Sequence, residues 1–212
     1  MEADSQLDYS VFQSINGLAG HSRVLDAIMI GIGQYSPYLL ALVLVALWLT
    51  WRHRNQRGAL LAAIASFIAL GLGQLVGRAF PRDRPFLAHK VTILVAHSAD
   101  SSFPSDHTTL AFAIATTVFL INRRLGFLLL IFGFAIAFAR VFIGAHYPAD
   151  VLGGAALGGL TAIGIWWISE TPRIDTLIER VFALLARGHL AASNASGEGL
   201  SRPRQDARLT IP

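Results

Sequence analysis

The stretch A-R-V-F-I-G-A-H-Y-P-A-D, residues 139–150, joins two long apolar segments and places three ionisable side chains at their junction. Arg140, His146 and Asp150 stand in a hydrocarbon-rich chain, where ionisable groups are costly unless they meet a ligand or one another. If Pro148 opens the second segment as the first residue of a helix, Asp150 falls in its first turn, within reach of one N–H of the His146 ring. Taken alone, the stretch fits equally an oriented reactive histidine or an interfacial histidine beside a helix-capping aspartate.

The composition is typical of an integral membrane protein and limits the kinds of site that the chain can build. Of 212 residues, 54% are hydrophobic and 14% are charged, the mean hydropathy is +0.54, and several apolar runs approach the length of a span. The chain contains no cysteine, which excludes a disulfide framework, a thiolate metal site and a cysteine nucleophile. The net charge of +4 comes from arginines near helix ends, so we expect a lipid bilayer and no nucleic acid as partner.

Hydrophobic periodicity predicts an all-α polytopic helical bundle with about five membrane spans. Ser36 and Pro37 are interpreted as the start of the first span, because they offer an N-cap and a first helical residue. The run that follows is short for a bilayer, so an N-terminal extension or a tilted span is the alternative. The predicted spans are residues 37–51, 58–78, 105–121, 125–142 and 148–168. Two glycine pairs at four-residue spacing predict close contacts between helices: Gly73 with Gly77 and Gly154 with Gly158.

Amphipathic segments flank the spans at both ends of a predicted membrane domain that covers residues 1–190. Residues 6–20 and 172–187 each place apolar side chains at helical spacing, which indicates helices lying at the membrane surface. Residues 191–212 contain serine, glycine and arginine without periodicity, and we expect a disordered tail there.

The arginines of the short connections predict the orientation of the chain in the membrane. They fall on one side of the predicted bundle, which the positive-inside rule makes cytoplasmic, together with the C-terminus: Arg52, Arg54, Arg57, Arg123, Arg124 and Arg173. The unusual polar residues fall on the opposite, periplasmic or extracellular, face. The cluster at residues 78–90 is basic although it lies on that outer face, which suggests that its charges serve a ligand.

Three polar blocks converge on this outer face and carry the chemistry. They are R-A-F-P-R-D-R-P at residues 78–85, P-S-D-H at residues 104–107, and the group of Arg140, His146 and Asp150. Arginines, histidines and a helix N-terminus together suit a phosphate or diphosphate. Two histidines permit one to attack phosphorus and the other to protonate the leaving oxygen, while the cationic groups neutralise charge that develops on the phosphoryl oxygens.

The three blocks resemble those of the type 2 phosphatidic acid phosphatase superfamily, whose patterns are K-x6-R-P, P-S-G-H and S-R-x5-H-x3-D. The resemblance covers residues 78–150 and implies the helical core that this superfamily shares with vanadium haloperoxidases. Asp106 stands where the second pattern has glycine, and this variant resembles the bacitracin-resistance-type undecaprenyl-diphosphatases in particular.

The resemblance implies a role for each residue that matches a pattern. His146 would be the nucleophile, Asp150 its orienting carboxylate and His107 the general acid. The transferring phosphoryl group would be held by Arg84, Ser105 and Arg140. No metal ion or other cofactor is implied.

The chain departs from the family patterns in all three blocks. In the third, Ala139 replaces the serine before Arg140, which removes a side-chain hydrogen bond but no essential chemistry. Arg78 replaces lysine, and five residues instead of six separate it from Arg84, so Arg82 competes with Arg78 as a phosphate ligand. Asp106 either stabilises the N-terminus of the helix that it opens, through the helix dipole, or orients Arg84 or His107. The other histidines lack helical pairing with carboxylates, and we expect no metal site among them: His21, His89, His97 and His189.

The resemblance implies hydrolysis of undecaprenyl diphosphate to undecaprenyl phosphate and inorganic phosphate, which recycles the carrier lipid for cell-envelope synthesis. The same chemistry on phosphatidic acid or phosphatidylglycerol phosphate is one alternative. A lipid phosphotransferase, which passes the phosphoryl group to an acceptor hydroxyl, is another. A transporter that uses the arginines as an anion site without a nucleophile is the third.

Overall fold

The structure of the protein, a computed structural model, describes residues 2–180 and 182–184, and the described backbone contains helices and no strands. The helices are α1 (Glu2–Asn16), α2 (Arg23–Leu49), α3 (His53–Ala79), α4 (Pro85–Ala88), α5 (Asp106–Ile121), α6 (Arg123–Phe142) and α7 (Pro148–Ser169). The prediction of an all-α protein is thus confirmed over the described residues. The described residues up to 167 form one compact unit, and those from 168 onward form another.

The second unit contains the end of α7 and a further helical segment at residues 172–180. This segment falls inside the amphipathic helix predicted at residues 172–187. The last residues of that predicted helix, and the whole of the tail predicted at residues 191–212, lie outside the described residues.

Four of the helices are long and apolar enough to cross a membrane: α2, α3, α6 and α7. Helix α5 is apolar but has 16 residues, which at 1.5 Å per residue gives about 24 Å, shorter than a bilayer core. It is nevertheless the centre of the bundle, where Ala111, Ile114 and Val118 pack against residues of α2, α3 and α6. The fold therefore has multiple membrane-crossing helices, while the number of five spans stays a prediction.

The start predicted for the first span is wrong. Ser36 and Pro37 lie inside α2, which begins at Arg23 after Ser22, whose side chain accepts a hydrogen bond from the Leu25 backbone N–H. Ser22 is therefore the N-cap, and the apolar run before Ser36, which is too short to span alone, continues through the proline. A proline interrupts one backbone hydrogen bond, and neighbouring helices can satisfy the freed group in a membrane protein.

Helix α1 packs onto the bundle through one face. Phe12 is fully buried against Val141, Tyr147 and Val151, so this side chain packs in the protein core. Asn16, the last residue of α1, donates to the carbonyls of Thr92 and Phe142, at 2.8 and 2.9 Å. The helix ends at residue 16, before the predicted limit at residue 20, and its last residue links the end of α6 to the loop before α5.

Helices α5 and α7 approach one another through the glycines of α7. A Cβ atom at Gly158 would lie 2.2 Å from the Thr109 carbonyl oxygen, and one at Gly154 would lie 2.7 Å from the Ser105 oxygen. The predicted contact at this glycine pair is therefore present, because only a hydrogen in place of a side chain leaves room. Gly77 of α3 packs instead against residues of the loop before α5, with a Cβ position 3.0 Å from the Phe103 oxygen.

The bundle has two ends with different contents. We call the end where α3 and α6 finish and α5 and α7 begin the site end, and the other the opposite end. At the opposite end, an Arg54 N–H donates to the Ile121 carbonyl, and the Arg123 guanidinium lies 4.7 Å from the Phe119 ring centroid. The site end holds the three polar blocks.

Candidate active site

The three polar blocks line one cavity of about 420 Å³ at the site end. Its walls come from the end of α3, the loop between α3 and α5, the start of α5 and the end of α6. The predicted site residues that line it are Arg78, Arg84, Asp106, His107, Arg140 and His146. The structure therefore brings together residues that lie up to 68 positions apart in the chain.

His146 lies in the tight connection between α6 and α7. Gly144 shapes this turn with a φ of +83°, and a Cβ atom there would lie 2.5 Å from the Thr92 carbonyl oxygen, so a larger residue does not fit. The His146 Nδ1 lies 2.8 Å from the Ser102 carbonyl oxygen. A carbonyl only accepts hydrogen bonds, so Nδ1 carries the proton and Nε2 keeps its lone pair.

The Nε2 atom of His146 lies next to a cation. It is 3.2 Å from Nη1 of Arg84, which donates to its lone pair. Burial of the ring, together with the nearby charges of Arg140 and Arg84, lowers the pKa of His146 to about 4. At neutral pH the ring is therefore uncharged, as a nucleophile must be.

Asp150 lies below His146 but does not form the direct hydrogen bond that the four-residue spacing predicts. The closest approach, between Nδ1 of His146 and Oδ2 of Asp150, is 3.8 Å. Ser102 stands between them: its carbonyl accepts from His146, and its hydroxyl donates to Asp150 Oδ2 at 2.5 Å. The expected contact is replaced because His146 precedes the helix, where i,i+4 geometry does not apply, and because Ser102 is closer.

Asp150 is anchored from α1 as well. Arg82 donates to Asp150 Oδ1 at 2.7 Å and to Asp8 Oδ2 at 2.5 Å, so it bridges two carboxylates. A second oxygen of Asp8 accepts from the Ala149 backbone N–H at 2.8 Å. Arg82 is therefore engaged behind the histidine, and it is Arg78, not Arg82, that lines the cavity.

Arg84 is buried and pairs with a carboxylate at the cavity mouth. Its Nε and Nη2 atoms lie 2.9 and 2.7 Å from Oδ1 of Asp100, and its Nη1 donates to the Ala145 carbonyl at 3.1 Å. Burial alone would raise the pKa of Asp100, but the hydrogen bond and charge of Arg84 outweigh it and lower that pKa. Asp100 is therefore ionised and orients Arg84 beside His146.

Arg140 enters the cavity from the last turn of α6 and is only 2% exposed. Its Nη1 donates to the Gly33 carbonyl of α2 at 3.2 Å, and its Nη2 lies 2.8 Å from Nε2 of His97. His97 was not predicted as a site residue, because it belongs to no predicted helix on which a carboxylate could pair with it. Its position in the long polar loop before α5 is the feature of the sequence that could have indicated a role in the site.

The remaining predicted residues differ in how they face the cavity. His107 and Arg78 line it, and within the described part of the chain neither side chain forms a hydrogen bond. Ser105 is fully buried and does not line the cavity, and its hydroxyl accepts from Thr108 at 3.3 Å. Asp106 opens α5 and accepts from Gln74 Nε2 at 3.2 Å, so within the described chain it orients neither Arg84 nor His107.

Comparison with known proteins identifies the family. The profile of the PAP2 superfamily matches residues 57–174, which is more than half of the chain. The chain belongs to the PAP2 superfamily. It is 42% identical over 178 residues to the undecaprenyl-diphosphatase BcrC of Bacillus subtilis, covering 83% of this chain and 92% of that protein. It is 38% identical over 164 residues to a Bacillus licheniformis protein named bacitracin transport permease protein BcrC, covering 77% and 81%.

The PAP2 fold is also seen in a solved structure. The crystal structure of LpxE of Aquifex aeolicus superposes with a TM-score of 0.66 at 25% identity, covering 76% of this chain and 94% of that one. The resemblance inferred from the three blocks is thus confirmed. With its membrane-length helices, the protein is a multi-pass membrane member of the PAP2 superfamily.

Proposed function

We propose that this PAP2 protein hydrolyses undecaprenyl diphosphate to undecaprenyl phosphate and inorganic phosphate, with His146 as the nucleophile. The similarity to undecaprenyl-diphosphatase BcrC, over nearly the whole length of that protein, supports the substrate. The observation that carries the chemistry is the uncharged His146 ring, whose Nε2 lone pair lies in a cavity lined by arginines.

In the first step, Nε2 of His146 attacks the terminal phosphorus of the diphosphate. The bond from this phosphorus to the bridging oxygen breaks, and undecaprenyl phosphate leaves with a proton from His107, which lines the same cavity. The negative charge of the bound diphosphate favours the protonated form of His107 that this step needs. Arg84 and Arg140 hold the phosphoryl oxygens, whose charge is redistributed in the transition state. Hydrogen bonding of Nδ1–H to the Ser102 carbonyl, with the Asp150 carboxylate beyond it, stabilises the imidazolium that forms.

In the second step, water attacks the phosphorus of phosphohistidine 146. His107, which lost its proton in the first step, accepts one from this water, and inorganic phosphate leaves as the P–N bond breaks. His146 returns to its neutral form with Nδ1 protonated. The balance requires only the lipid diphosphate and one water molecule.

We further propose that the cavity opens to the outer leaflet of a bacterial inner membrane and that the C-terminus is cytoplasmic. The arginines at the opposite end of the bundle support this orientation, because short connections rich in arginine stay on the cytoplasmic side. Undecaprenyl phosphate would then be released in the outer leaflet, where envelope polysaccharide synthesis leaves the carrier lipid as its diphosphate.

The decisive experiment measures phosphate release by the purified protein in detergent with EDTA present. Undecaprenyl diphosphate and phosphatidic acid are compared as substrates for the wild type, His146→Asn and His21→Gln. Asparagine removes Nε2 but keeps an amide N–H that can reach the Ser102 carbonyl, so folding is preserved. His21 is exposed and does not line the cavity, and its replacement is the matched control.

We expect the wild type to release phosphate from the diphosphate in the presence of EDTA. The rate of release should fall roughly 10⁴-fold or more in His146→Asn and stay unchanged in His21→Gln. Equal release from phosphatidic acid would indicate a broad lipid phosphatase instead. Phosphorylated acceptor without free phosphate would indicate a phosphotransferase. Full function of His146→Asn would fit an anion transporter and would overturn the proposal.

A further inference from the structure

Arg140 is held differently from the other buried arginine of the cavity. Arg84 pairs with the Asp100 carboxylate, whereas the two acceptors of Arg140 are the uncharged Gly33 carbonyl and His97 ring. No carboxylate in the described part of the chain forms a salt bridge with Arg140. Its charge is therefore not neutralised by a partner and remains available to an anionic ligand.

The first acceptor exists because of Pro37. In an α-helix the carbonyl of residue i−4 accepts from the N–H of residue i, and proline has no N–H. The residue four positions before Pro37 is Gly33, and its carbonyl accepts from Nη1 of Arg140 at 3.2 Å. The proline that interrupts α2 thus leaves free the one backbone oxygen that Arg140 uses.

Gly33 also lets α6 come close enough for this contact. A Cβ atom at Gly33 would lie 3.1 Å from Cδ1 of Ile143 and 3.8 Å from the Ala139 Cβ atom. Ala139 directly precedes Arg140, and Ile143 follows it by three positions. The absence of a side chain at position 33 and the absence of an N–H at position 37 act together. One provides the space and the other the free carbonyl.

The second acceptor exists because His97 is held as one tautomer. Its Nδ1 lies 2.8 Å from the Val95 carbonyl oxygen, which can only accept, so the proton is on Nδ1. Nε2 therefore has a lone pair, which receives the N–H of Arg140 Nη2 at 2.8 Å. Burial of the ring, reinforced by the charge of Arg140, lowers the pKa of His97 and keeps it neutral.

We propose that Pro37 and His97 are positioning residues that orient the Arg140 guanidinium toward the phosphoryl group. The inference rests on the proposed role of Arg140 in binding that group. Two hydrogen bonds to rigid acceptors on α2 and on the loop before α5 fix the guanidinium plane. Nε of Arg140 has no hydrogen-bond partner among the described residues and, like the second N–H of each Nη atom, stays available for a phosphoryl oxygen.

The test uses substitutions that remove or preserve each acceptor. Pro37→Ala restores an N–H that competes for the Gly33 carbonyl, and Gly31→Ala is its control, because position 31 of the same helix has open space around it. His97→Ala removes the acceptor, whereas the carbonyl of His97→Gln can still accept from Arg140. His97→Asn keeps a donor for Val95 without reaching Arg140, and it replaces the alanine variant if that variant does not fold.

The kinetic constants kcat and KM are measured on undecaprenyl diphosphate, and the dissociation constant of inorganic phosphate is measured by calorimetry. We expect His97→Ala or His97→Asn to lower kcat and weaken phosphate binding roughly tenfold, and Pro37→Ala about threefold. KM should change less than kcat, because the lipid tail also contributes to binding. His97→Gln should recover most of what His97→Ala loses, and Gly31→Ala should stay near wild type.

Wild-type values in both Pro37→Ala and His97→Ala would overturn the inference, as would a glutamine variant no better than alanine at position 97. The phosphate-binding measurement separates this failure from that of the proposed function. If the wild type releases no phosphate from the lipid but the variants bind inorganic phosphate more weakly, the substrate is wrong and the positioning stands. If the wild type is active and the variants match it in both measurements, only the positioning fails.

Discussion

Both ends of the helical bundle are rich in arginine, but they use it in different ways. At the opposite end, Arg52, Arg54, Arg123 and Arg124 are exposed, and the contacts described above are with a backbone carbonyl and an aromatic ring. At the site end, Arg84 and Arg140 are 7% and 2% exposed and bind histidines, carbonyls and a carboxylate. Burial of arginine among oriented acceptors is expensive, and a phosphoryl ligand explains why the chain sustains it.

The number of basic residues at one end of the bundle therefore does not locate a phosphate site. Exposed arginines at helix ends are explained by membrane orientation alone. The buried ones are distinguished by partners that fix their direction, which preorganises charge for a transition state.

Arg84→Lys should lower kcat about a hundredfold, because the point charge of lysine cannot contact Asp100, Ala145 and the substrate together. Phosphate release under saturating undecaprenyl diphosphate measures the effect. Arg124→Lys, the same change at an exposed arginine of the opposite end, is the control and should keep wild-type kcat. Equal losses in the two variants would show that the buried and exposed arginines are equivalent.

Ser102→Ala should lower kcat about tenfold. The substitution removes the hydroxyl that donates to Asp150 but leaves the carbonyl that accepts from His146. Thr108→Val, which removes a buried hydroxyl bonded to Ser105 outside the cavity, controls for loss of packing and polarity. An unchanged kcat in Ser102→Ala would mean that the link from His146 through Ser102 to Asp150 plays no part in the reaction.

The thermal stability of the wild type should fall relative to His146→Asn as the pH is lowered. The folded-state pKa of His146 is about 4, below its ordinary value near 6.5, so the unfolded state binds more protons between these pH values. The contribution of the neutral ring is complete above pH 6.5 and is lost toward pH 4, at up to about 1.4 kcal/mol per pH unit. Unfolding midpoints in detergent measure it, and a difference independent of pH would contradict the assignment.

Arg124→Gln should have the smallest effect, less than about twofold on kcat and KM, because this exposed side chain is far from the cavity. We expect the substitution to change the membrane orientation of a fraction of the molecules, since fewer arginines on that side weaken the orientation signal. Accessibility of engineered cysteines at residues 53 and 98 to a membrane-impermeant reagent reports which end faces outside. Labelling of position 53 and not of position 98 in intact cells would reverse the proposed orientation.

Several features were predictable because they depend on residues close together in sequence. Apolar periodicity predicted α3, α6 and α7 with small errors at their ends, and the three polar blocks predicted the family. The start of α2 was not predictable in this way, since Ser36 and Pro37 read locally as a helix start. The bundle overrides that local signal, because Arg140 satisfies the carbonyl that the proline leaves free.

Residue types and short spacings were enough to predict a helical membrane protein of the PAP2 superfamily and to assign His146, His107, Arg84 and Arg140 to one site. These depend on residue type and short spacing, which the chain carries directly. The support of the site depends instead on tertiary contacts: Asp8, Arg82 and Ser102 lie around Asp150, and His97 and the Gly33 carbonyl hold Arg140. Partners of this kind lie 43 to 107 positions apart, and the packing of the helices, not any local pattern, brings them within hydrogen-bonding distance.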